Sequence, residues 1–553
     1  MKKIGVILSD STTIEATCQL LEGAEKGKIR EGKLAIIQRN NGNGSILARI
    51  GSIKPYNAFF TVGDPWSEAR RKEMKIPDEV ARQYEVCGLD LLKEMPNGSD
   101  VRYPPSPGDL VIEIDPEKNI EEIFNVKKNK EGISWFGSMA GYKNIKVPLN
   151  IENLPMHMAI FGVTGSGKSF TAGSFFEKIL NIPYIKGKRI SYPMVIIDAH
   201  GDYTNYAEYF QENPDDLELR SGWIKHFIFP KRYNSQHKIS QKTHIERLGI
   251  DLNKLSFREV SEMVIQFYKG PGELSELQIN GLENIIDELV SVNGYTIQSL
   301  FIHHINVLKK SIDKNRDIHS SSKRAINSAI TKFYDEIENK QKLLSSGSLI
   351  KDDDFVENLT SKRGVAIIDF SAEGAPGVIN QTKQLVMGYL ATLLFNKFTE
   401  FKINSENRYL LFVIEEAQNF CPSSSYPVGS SLSQSKLSAI ATQGRKFGLS
   451  LCLISQRPSF VDSVILSMCN TFFIHRISPG DVSFVMNVTG GLPSSLGNKL
   501  TNLGKGQFIA NGQMLTVGFP LLMYLKKKDR KIKHKAGSTN VVEGIAKSSG
   551  LIE

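Results

Sequence analysis

The 553-residue sequence predicts an α/β fold with a mainly parallel sheet, an inserted helical subdomain and an N-terminal β-barrel. Three observations lead to this fold class. Apolar stretches of strand length alternate with helical patterns over residues 151–232 and 363–525, and such alternation is typical of a parallel sheet. One of these stretches is followed by a glycine-rich loop and then a helical pattern. Another ends in two adjacent carboxylates.

Residues 1–115 predict the β-barrel, because short stretches of alternating polar and apolar residues are separated there by turn signals. The clearest turn signal is the Asn-Asn-Gly-Asn-Gly run at residues 40–44. Residues 116–150 are predicted to form a connector to the core. The predicted barrel strands are 3–8, 33–38, 46–53 and 110–114.

The core is predicted in two parts, 151–232 and 363–525, with a helical insertion at 233–362. Apolar residues at helical spacing between Leu282 and Leu289, and the lack of proline from residue 272 to 375, indicate the insertion. A basic tail follows at 526–553. The predicted strands of the core are 156–161, 194–198, 365–370, 409–415, 450–455, 472–477, 507–510 and 515–517.

Residues 162–169 fit the phosphate-binding pattern GxxxxGK[ST] between an apolar strand and a helix. Glycines let the backbone approach a polyphosphate, and amide N–H groups at the start of the helix point at it. Lys168, on a loop expected to face solvent, would neutralise the β- and γ-phosphates, and the Ser169 hydroxyl would hold Mg²⁺. The sequence therefore predicts an ATP site. Its predicted residues are Gly162, Val163, Thr164, Gly165, Ser166, Gly167, Lys168, Ser169 and Phe170.

The apolar stretch 409–415 ends in Glu415, and Glu416 follows it. P-loop ATPases place the acid of the metal shell and the acid that activates water at such a strand end. Adjacent strand residues project oppositely, so one carboxylate can face Mg²⁺ while its neighbour polarises the attacking water. We assign Glu415 to the metal and Glu416 to the water. The alternative for such a pair is an ordinary solvated strand end.

Two more predicted strands end in polar residues. Asp198 closes the stretch 194–198 and could support a metal-bound water, although with His200 and Asp202 it could equally form a capping cluster beneath the site. Gln456 follows the stretch 450–455. A glutamine there can reach the γ-phosphate and report hydrolysis, and the alternative is an ordinary turn residue.

Arg445 lies on a predicted loop flanked by Gly444 and Gly448. Such an arginine can act across a subunit boundary and stabilise transition-state charge on a neighbour's γ-phosphate, an effect worth roughly 10³–10⁵ in rate in P-loop enzymes. A surface salt bridge is the alternative. Arg457 is the rival candidate for this finger.

Five spaced motifs occur together in one known arrangement. They are VTGSGKS at 163–169, IDAHGDY at 197–203, VIEEAQNF at 413–420, GRKFG at 444–448 and ISQRPS at 454–459. Together they resemble the HerA branch of the HerA/FtsK ATPases over essentially the whole chain. The resemblance implies a RecA-like P-loop ATPase core and a homohexameric ring with ATP at the subunit interfaces. It also implies that DNA, which we predict to be duplex, passes through the central channel. Arg445 would then be the arginine finger that acts in trans on the neighbouring subunit.

Two motifs depart from the family pattern. The second motif has Ala199 and Asp202 in place of proline and glutamate, and Gln418 replaces a histidine. Neither change removes a group needed for hydrolysis, though both could alter how DNA is sensed.

The resemblance implies an ATP-hydrolysing hexameric DNA translocase or helicase that acts with a separate nuclease or other effector docked on the N-terminal barrel. The chain has no visible nuclease constellation of its own. The alternative is an NTP-dependent scaffold that assembles and regulates a toxic effector, a nuclease or an NAD-cleaving enzyme, in antiphage defence. Translocation would then be incidental.

The composition narrows the class of protein. Hydrophobic content of 41% and charged content of 23% are those of a soluble globular protein. No apolar stretch approaches the roughly 18 residues of a membrane span, and no signal peptide is visible. The five cysteines form no CxxC pair, which favours a reducing cytoplasm and argues against structural zinc. The formal charge of +9 is weak support for a polyanionic partner.

The run at residues 526–535 contains seven lysines and arginines and one acid. One interpretation is a solvated basic terminus. The other is an electrostatic collar that captures DNA at one face of a ring. In the collar interpretation, no residue of the run is expected to reach the nucleotide.

Overall fold

The computed structural model contains an eleven-stranded sheet, a closed β-barrel and helices. The described residues are 2–22, 29–40, 42, 44–57, 60, 66–77, 84–114, 120–127, 130–142, 144–213, 222–234, 244–270, 275–345, 355–427 and 431–532. The predicted boundary between barrel and connector, at residues 115 and 116, lies outside them, as do residues 533–553 of the tail.

The strands are β1 Lys3–Ile7, β2 Glu15–Leu20, β3 Leu34–Gln38, β4 Ser45–Tyr56, β5 Tyr84–Met95, β6 Leu110–Glu113, β7 Ile133–Phe136, β8 Ser138–Met139, β9 Val147–Asn150, β10 Met158–Phe161, β11 Ile182–Pro183, β12 Arg189–Ile190, β13 Met194–Asp198, β14 Ile224–Ile228, β15 Ile245–Arg247, β16 Val365–Asp369, β17 Leu410–Glu415, β18 Leu449–Ser455, β19 Thr471–Ile474, β20 Gln507–Gly512 and β21 Leu521–Tyr524.

The helices are α1 Ser67–Arg71, α2 Ile120–Phe124, α3 Lys168–Ile179, α4 Asn205–Glu212, α5 Pro230–Asn234, α6 Phe257–Lys269, α7 Glu276–Asp287, α8 Ile297–Ile302, α9 Ile305–Lys314, α10 Ser320–Phe333, α11 Phe355–Ser361, α12 Asn380–Ile403, α13 Gln434–Ala439, α14 Arg445–Phe447, α15 Ser463–Ser467, α16 Val482–Val488 and α17 Ser494–Gly497. None of the described helices is both long enough and apolar enough to cross a membrane.

The large sheet has the order β15-β14-β16-β13-β17-β18-β10-β19-β20-β21-β8. From β15 through β19 every neighbouring pair is parallel, and from β19 to β8 every pair is antiparallel. The six strands from β16 to β19 in this order are buried at every position, because both faces of the sheet are covered there. In β13, Val195 and Ile197 pack into one hydrophobic cluster while Met194 and Ile196 pack into the other. The predicted α/β core with a mainly parallel sheet is therefore confirmed.

The N-terminal strands close into a barrel in the order β1-β2-β5-β4-β3-β6, as the sequence predicts. Two of its strands, β2 and β5, were not among the predicted ones. Their alternation is weak because the inward positions of β2 are small residues such as Ala16 and Cys18, and β5 is interrupted by Gly88 and Asp90.

The connector and the C-terminal region depart further from the prediction. Within the predicted connector, β8 pairs with β21 and forms the last strand of the large sheet. The predicted strand at 515–517 is wrong: Leu515 makes one isolated bridge with Leu149, and the last strand is β21. Gly512 and Gly518, with φ of 115° and 70°, turn the chain on both sides of that stretch.

The helical insertion consists of α6 to α10, which pack on one another beside the sheet. Leu282 and Leu289, the first and last residues of the predicted helical spacing, are buried, with exposures of 0% and 5%. The segment predicted as insertion also contains β15, which pairs with β14 as the other edge of the large sheet.

The barrel is joined to the core by a buried arginine. Arg49 in β4 is 2% exposed, and its Nη2 and Nε atoms donate to Asp90 Oδ2 at 2.7 and 3.0 Å. Its Nη1 atom donates to the carbonyl oxygen of Pro520, the residue before β21. The Ser495 hydroxyl of the core also donates to Asp90 Oδ2. One guanidinium therefore holds both sides of the contact.

Replacing this arginine should loosen the barrel. Removing one partner of a buried ion pair costs about 3–5 kcal/mol, because the remaining charge stays desolvated. We expect Arg49→Ala to lower the free energy of unfolding by about 3 kcal/mol and to expose the barrel–core junction to limited proteolysis. Arg71→Ala is the matched control, since the Arg71 side chain is 75% exposed in its pair with Glu68. Equal denaturation midpoints for the two variants would contradict this role.

Candidate nucleotide-binding site

The polar residues identified in the sequence lie at one edge of the sheet, where the parallel strands end. β10 leads into the glycine loop, β13 ends in Asp198, β17 ends in Glu415, and β18 ends just before Gln456. In register, Phe161 pairs with Ser455, and Glu415 pairs with Ile454. Because neighbouring strands are about 4.8 Å apart, this register brings the four strand ends together.

The glycine loop is held on both sides by the C-terminal part of the chain. The Val163 amide donates to Arg476 O at 2.8 Å, and the Gly506 amide donates to Ser166 O at 2.9 Å. A Cβ at residue 162 would lie 2.6 Å from His475 Cβ, so only glycine fits there. A Cβ at Gly165 would meet nothing within 4 Å, which leaves that side of the loop open.

Lys168 is the first residue of α3 and is 7% exposed, so the expectation that it faces solvent is wrong. Its Nζ atom lies 4.0 Å from Glu416 Oε1. Burial lowers the pKa of Lys168, while Glu416, Glu415 and Asp202 act in the opposite direction. The ammonium thus lies among carboxylates at the start of the helix that carries the phosphate loop.

Glu415 is completely buried at the end of β17. Its Oε2 atom accepts the Ala199 amide at 2.9 Å, whereas its Oε1 atom has no hydrogen-bond partner among the described residues. Burial, together with Asp198 and Asp202 nearby, raises the pKa of Glu415 well above its ordinary value. An ionised Glu415 therefore calls for a cation at Oε1. This fits a divalent metal ion, for which carboxylate oxygens are suitable ligands.

Glu416 differs sharply from its neighbour. Its backbone is in the left-handed region, with φ of 50°, and it starts the short 3₁₀ turn Ala417–Asn419. Burial alone would raise its pKa, but the hydrogen bond from His200, the charge of Lys168 and the amides of Gln418 and Gln456 lower the pKa to about 2. Glu416 is therefore ionised at neutral pH.

The donors to Glu416 come from three elements. Its Oε1 atom lies 3.0 Å from His200 Nε2 and accepts Gln456 Nε2 at 2.6 Å. Its Oε2 atom accepts Gln418 Nε2. The bond to Glu416 also raises the pKa of His200. Gln456 in turn accepts the Thr164 hydroxyl at 2.5 Å, so this glutamine links the glycine loop to the acid.

Asp198 lies beneath the site and uses both carboxylate oxygens locally. Its Oδ1 atom accepts the backbone amides of His200, Gly201 and Asp202, and its Oδ2 atom accepts that of Tyr203 at 2.8 Å. Burial and, to a smaller extent, the charge of nearby Asp369 raise the pKa of Asp198 to about 6. These contacts match the capping alternative, and support of a metal-bound water by Asp198 stays a prediction. The loop they hold is the one that presents His200 to Glu416.

The two candidate arginine fingers lie at opposite ends of β18. Arg445 is exposed in α14, just before the amino end of that strand, and so is on a helical turn instead of the predicted loop. β18 has seven residues and spans about 20 Å at about 3.3 Å per residue. Arg457 follows the carboxyl end, where it pairs with Asp481 at 3.2 Å and stacks on Phe460 at 4.5 Å.

Three residues of the site were not identified as functional in the sequence. Gln418 stood out only as a departure from the family pattern, and it also accepts the Ser455 hydroxyl at 2.8 Å. His475 is fully buried against the glycine loop, and burial lowers its pKa to about 3. Arg530, in the basic run, is buried against α3. Neither His475 nor Arg530 belongs to a recognisable motif.

Comparison with known proteins agrees with this geometry. Residues 135–394 match the family model "Helicase HerA, central domain". The chain is 26% identical over 531 residues to the DNA double-strand break repair helicase HerA of Saccharolobus solfataricus, covering 93% of this chain and 90% of that protein. It is 24% identical over 454 residues to the protein of the same name from Pyrococcus furiosus, covering 76% and 74%. The chain is thus similar to the HerA ATPases.

Solved structures similar to this HerA-like ATPase include VirB4 of Thermoanaerobacter pseudethanolicus, at 11% identity and a TM-score of 0.48, covering 73% of this chain and all of that one. Another is the bacterial conjugative coupling protein TrwBdeltaN70, at 14% identity and a TM-score of 0.47, covering 77% and 95%.

Two substitutions test the assignment of the site in this HerA-like ATPase. Lys168→Ala should abolish ATP turnover. Glu416→Gln should keep ATP binding but lower turnover by about 10²–10⁴-fold, the usual contribution of a positioned acid or base. Turnover, binding of a fluorescent ATP analogue and thermal melting should be measured together, because Lys168 is buried among acids. If Glu416→Gln turns over normally and Glu415→Gln does not, the two roles are reversed.

Proposed function

We propose that this HerA-like ATPase is an Mg²⁺-ATP-driven DNA translocase that acts as a homohexameric ring and works with a separate nuclease or other effector subunit. The observation that carries the proposal is the position of Arg445. This residue lies on the amino side of the sheet, while the glycine loop of the same chain lies on the carboxyl side. An arginine so placed is available to a neighbouring chain and not to its own nucleotide.

The proposed hydrolysis uses residues at the ends of three strands, β10, β17 and β18. Ser169 and Glu415 would hold Mg²⁺, which neutralises charge on the phosphates. Lys168 binds the β- and γ-phosphates, and Glu416 orients the attacking water as an ionised carboxylate. Gln456 already bridges Thr164 and Glu416. A γ-phosphate that displaced either contact would therefore change the hydrogen bonding of Glu416. Gln456 is therefore the proposed sensor of the γ-phosphate.

The proposal of a ring is supported by the placement of Arg445 and the glycine loop on opposite sides of the sheet. Each nucleotide would have the glycine loop and paired acids of one chain and Arg445 of the next. Such a site is complete only at a subunit interface, which couples hydrolysis to movement between subunits. DNA as substrate is supported by the relatives, which are named as DNA repair helicases, and by the formal charge of +9.

The barrel is the proposed docking surface for the effector. Its described residues contain no phosphate loop and no paired acids at a strand end, and it carries exposed apolar side chains such as Ile14 and Tyr103, 72% and 73% exposed. Its attachment through Arg49 fixes it to the core next to β21. A partner bound there would be carried by the ring without covering the nucleotide.

Translocation can be measured directly. The purified protein should show ATP turnover that rises with duplex DNA, and it should displace a third strand from a DNA triplex in an ATP-dependent manner. Glu416→Gln should bind the same DNA and displace nothing. ATP turnover without triplex displacement, combined with ATP-dependent control of an effector's activity, would overturn the translocase and favour the scaffold alternative.

Mixing subunits tests the position of Arg445. Arg445→Ala and Lys168→Ala rings should each be inactive, but mixed rings should recover part of the turnover, because some interfaces then combine an intact glycine loop with an intact Arg445. Exchange of subunits has to be verified by energy transfer between labelled chains. The matched variant is Arg457→Ala, which should show no such recovery with Lys168→Ala. Absence of recovery for Arg445→Ala in verified mixed rings would contradict action in trans.

A further inference from the structure

A buried arginine packs behind the glycine loop, in a segment that the sequence predicts to be solvated. Arg530 is 6% exposed, and its side chain is 1% exposed. Its Nη1 atom donates to Ser169 O at 3.3 Å, and its Nη2 atom donates to Asp202 O at 3.4 Å. The interpretation of the run as a solvated terminus is therefore wrong for Arg530, which packs behind the predicted phosphate loop.

The segment that carries Arg530, residues 526–532, is called the C-terminal strap below. It is fixed by several contacts to α3 and to the connector. Glu177 in α3 accepts the Lys531 amide at 2.7 Å and the Ile532 amide at 2.9 Å. Asp529 pairs with Lys146 at 2.6 Å. Ile532 is 2% exposed in the hydrophobic cluster beneath α3. Arg530 and Ile532 are thus buried against the core, while Lys527, Lys528 and Lys531 stay exposed.

The P-loop helix has a space shaped for the guanidinium. A Cβ at Gly173 would lie 2.4 Å from Arg530 Cζ, so only glycine lets the arginine cross the helix here. The rings of Phe170 and Tyr206 flank the guanidinium, each with its centroid 5.9 Å away. Glycine inside a helix costs about 1 kcal/mol relative to alanine. The Arg530 contact provides a physical reason for glycine at this position.

The two carbonyls that Arg530 binds belong to different parts of the site. Ser169 is in the first turn of α3 and carries the hydroxyl assigned to Mg²⁺. Asp202 is in the loop held by Asp198, which also presents His200 to Glu416. A planar guanidinium with diverging donors can hold both carbonyls in one fixed geometry, which a lysine ammonium on a flexible stem cannot do as well.

We infer that Arg530 is a positioning residue for ATP hydrolysis, fixing the metal-side hydroxyl of Ser169 relative to the His200–Glu416 pair. It acts through the two backbone carbonyls. The inference rests on the proposed assignment of Mg²⁺-ATP to Lys168 and Ser169. It follows that the C-terminal strap supports the nucleotide site from behind α3, the helix that follows the glycine loop.

Substitution of Arg530 should lower kcat much more than it weakens ATP binding. Misplacement of catalytic groups by about 1 Å can cost about 10²-fold in rate. We therefore expect Arg530→Met to lower kcat by about 10- to 100-fold with a much smaller change in the KM for ATP. It should also raise the Mg²⁺ concentration needed to tighten binding of a fluorescent ATP analogue. Arg530→Lys should recover only part of the loss, and added methylguanidinium should partly restore Arg530→Ala.

Gly173→Ala provides an independent variant, because it keeps Arg530 but forces it away from α3. Alanine is the better helix former, so a loss of kcat with an unchanged or higher melting temperature would support the inference. Lys528→Ala, an exposed change in the same strap, should behave as wild type. An unchanged kcat and Mg²⁺ dependence in Arg530→Met and Gly173→Ala, measured per folded site, would overturn the inference.

Lys168→Ala run in parallel separates this inference from the proposed function. If Lys168→Ala is inactive and the Arg530 variants retain normal kcat, the assignment of the nucleotide site stands and Arg530 has only a structural role. If Lys168→Ala retains turnover, the nucleotide assignment itself fails, and the inference about Arg530 fails with it.

Discussion

The site depends on the parallel pairing of buried strands whose charged residues come only at their carboxyl ends. β17 is buried at all six positions, and its last residue is Glu415. Hydrogen bonding to β13 and β18 fixes its register. Any slip along the strand would bury a carboxylate in the hydrophobic core or remove it from the glycine loop. The same pairing that stabilises the sheet therefore sets the geometry of the chemistry.

Electrostatics then distinguishes two adjacent carboxylates. Glu415 is enclosed with other acids and has a raised pKa, whereas Glu416 receives hydrogen bonds from a histidine and two amides and has a lowered pKa. The left-handed backbone of Glu416 turns its side chain out of the strand direction. Divergent pKa values in neighbouring groups are the usual sign of divided roles. Here the enclosed acid needs a cation, and the hydrogen-bonded acid remains charged without one.

Local patterns in the sequence predict six strands of the large sheet, β10, β13, β16, β17, β18 and β20, to within two residues, because most of them are short apolar runs ending in a polar group. β19 ends three residues before its predicted end, and β14, β15 and β21 are not predicted. The local patterns also indicate the glycine loop and the paired acids. They fail where the structure depends on distant contacts. The stretch at 515–517 is apolar, but its flanking glycines turn it away from the sheet. A charge run predicts solvent, yet Arg530 is buried because Gly173, far away in the chain, leaves room for it.

The strap also sets an order of events during synthesis. Glu177 binds amides that lie 354 and 355 residues further along the chain. At about 5–20 residues per second, a ribosome needs roughly 20–70 s to make that interval. Over this time α3 exists without the segment that covers it, while the strands of the barrel, made earlier, are already outside the ribosome. A protein that binds the barrel can therefore meet the nascent chain before its ATP site is complete.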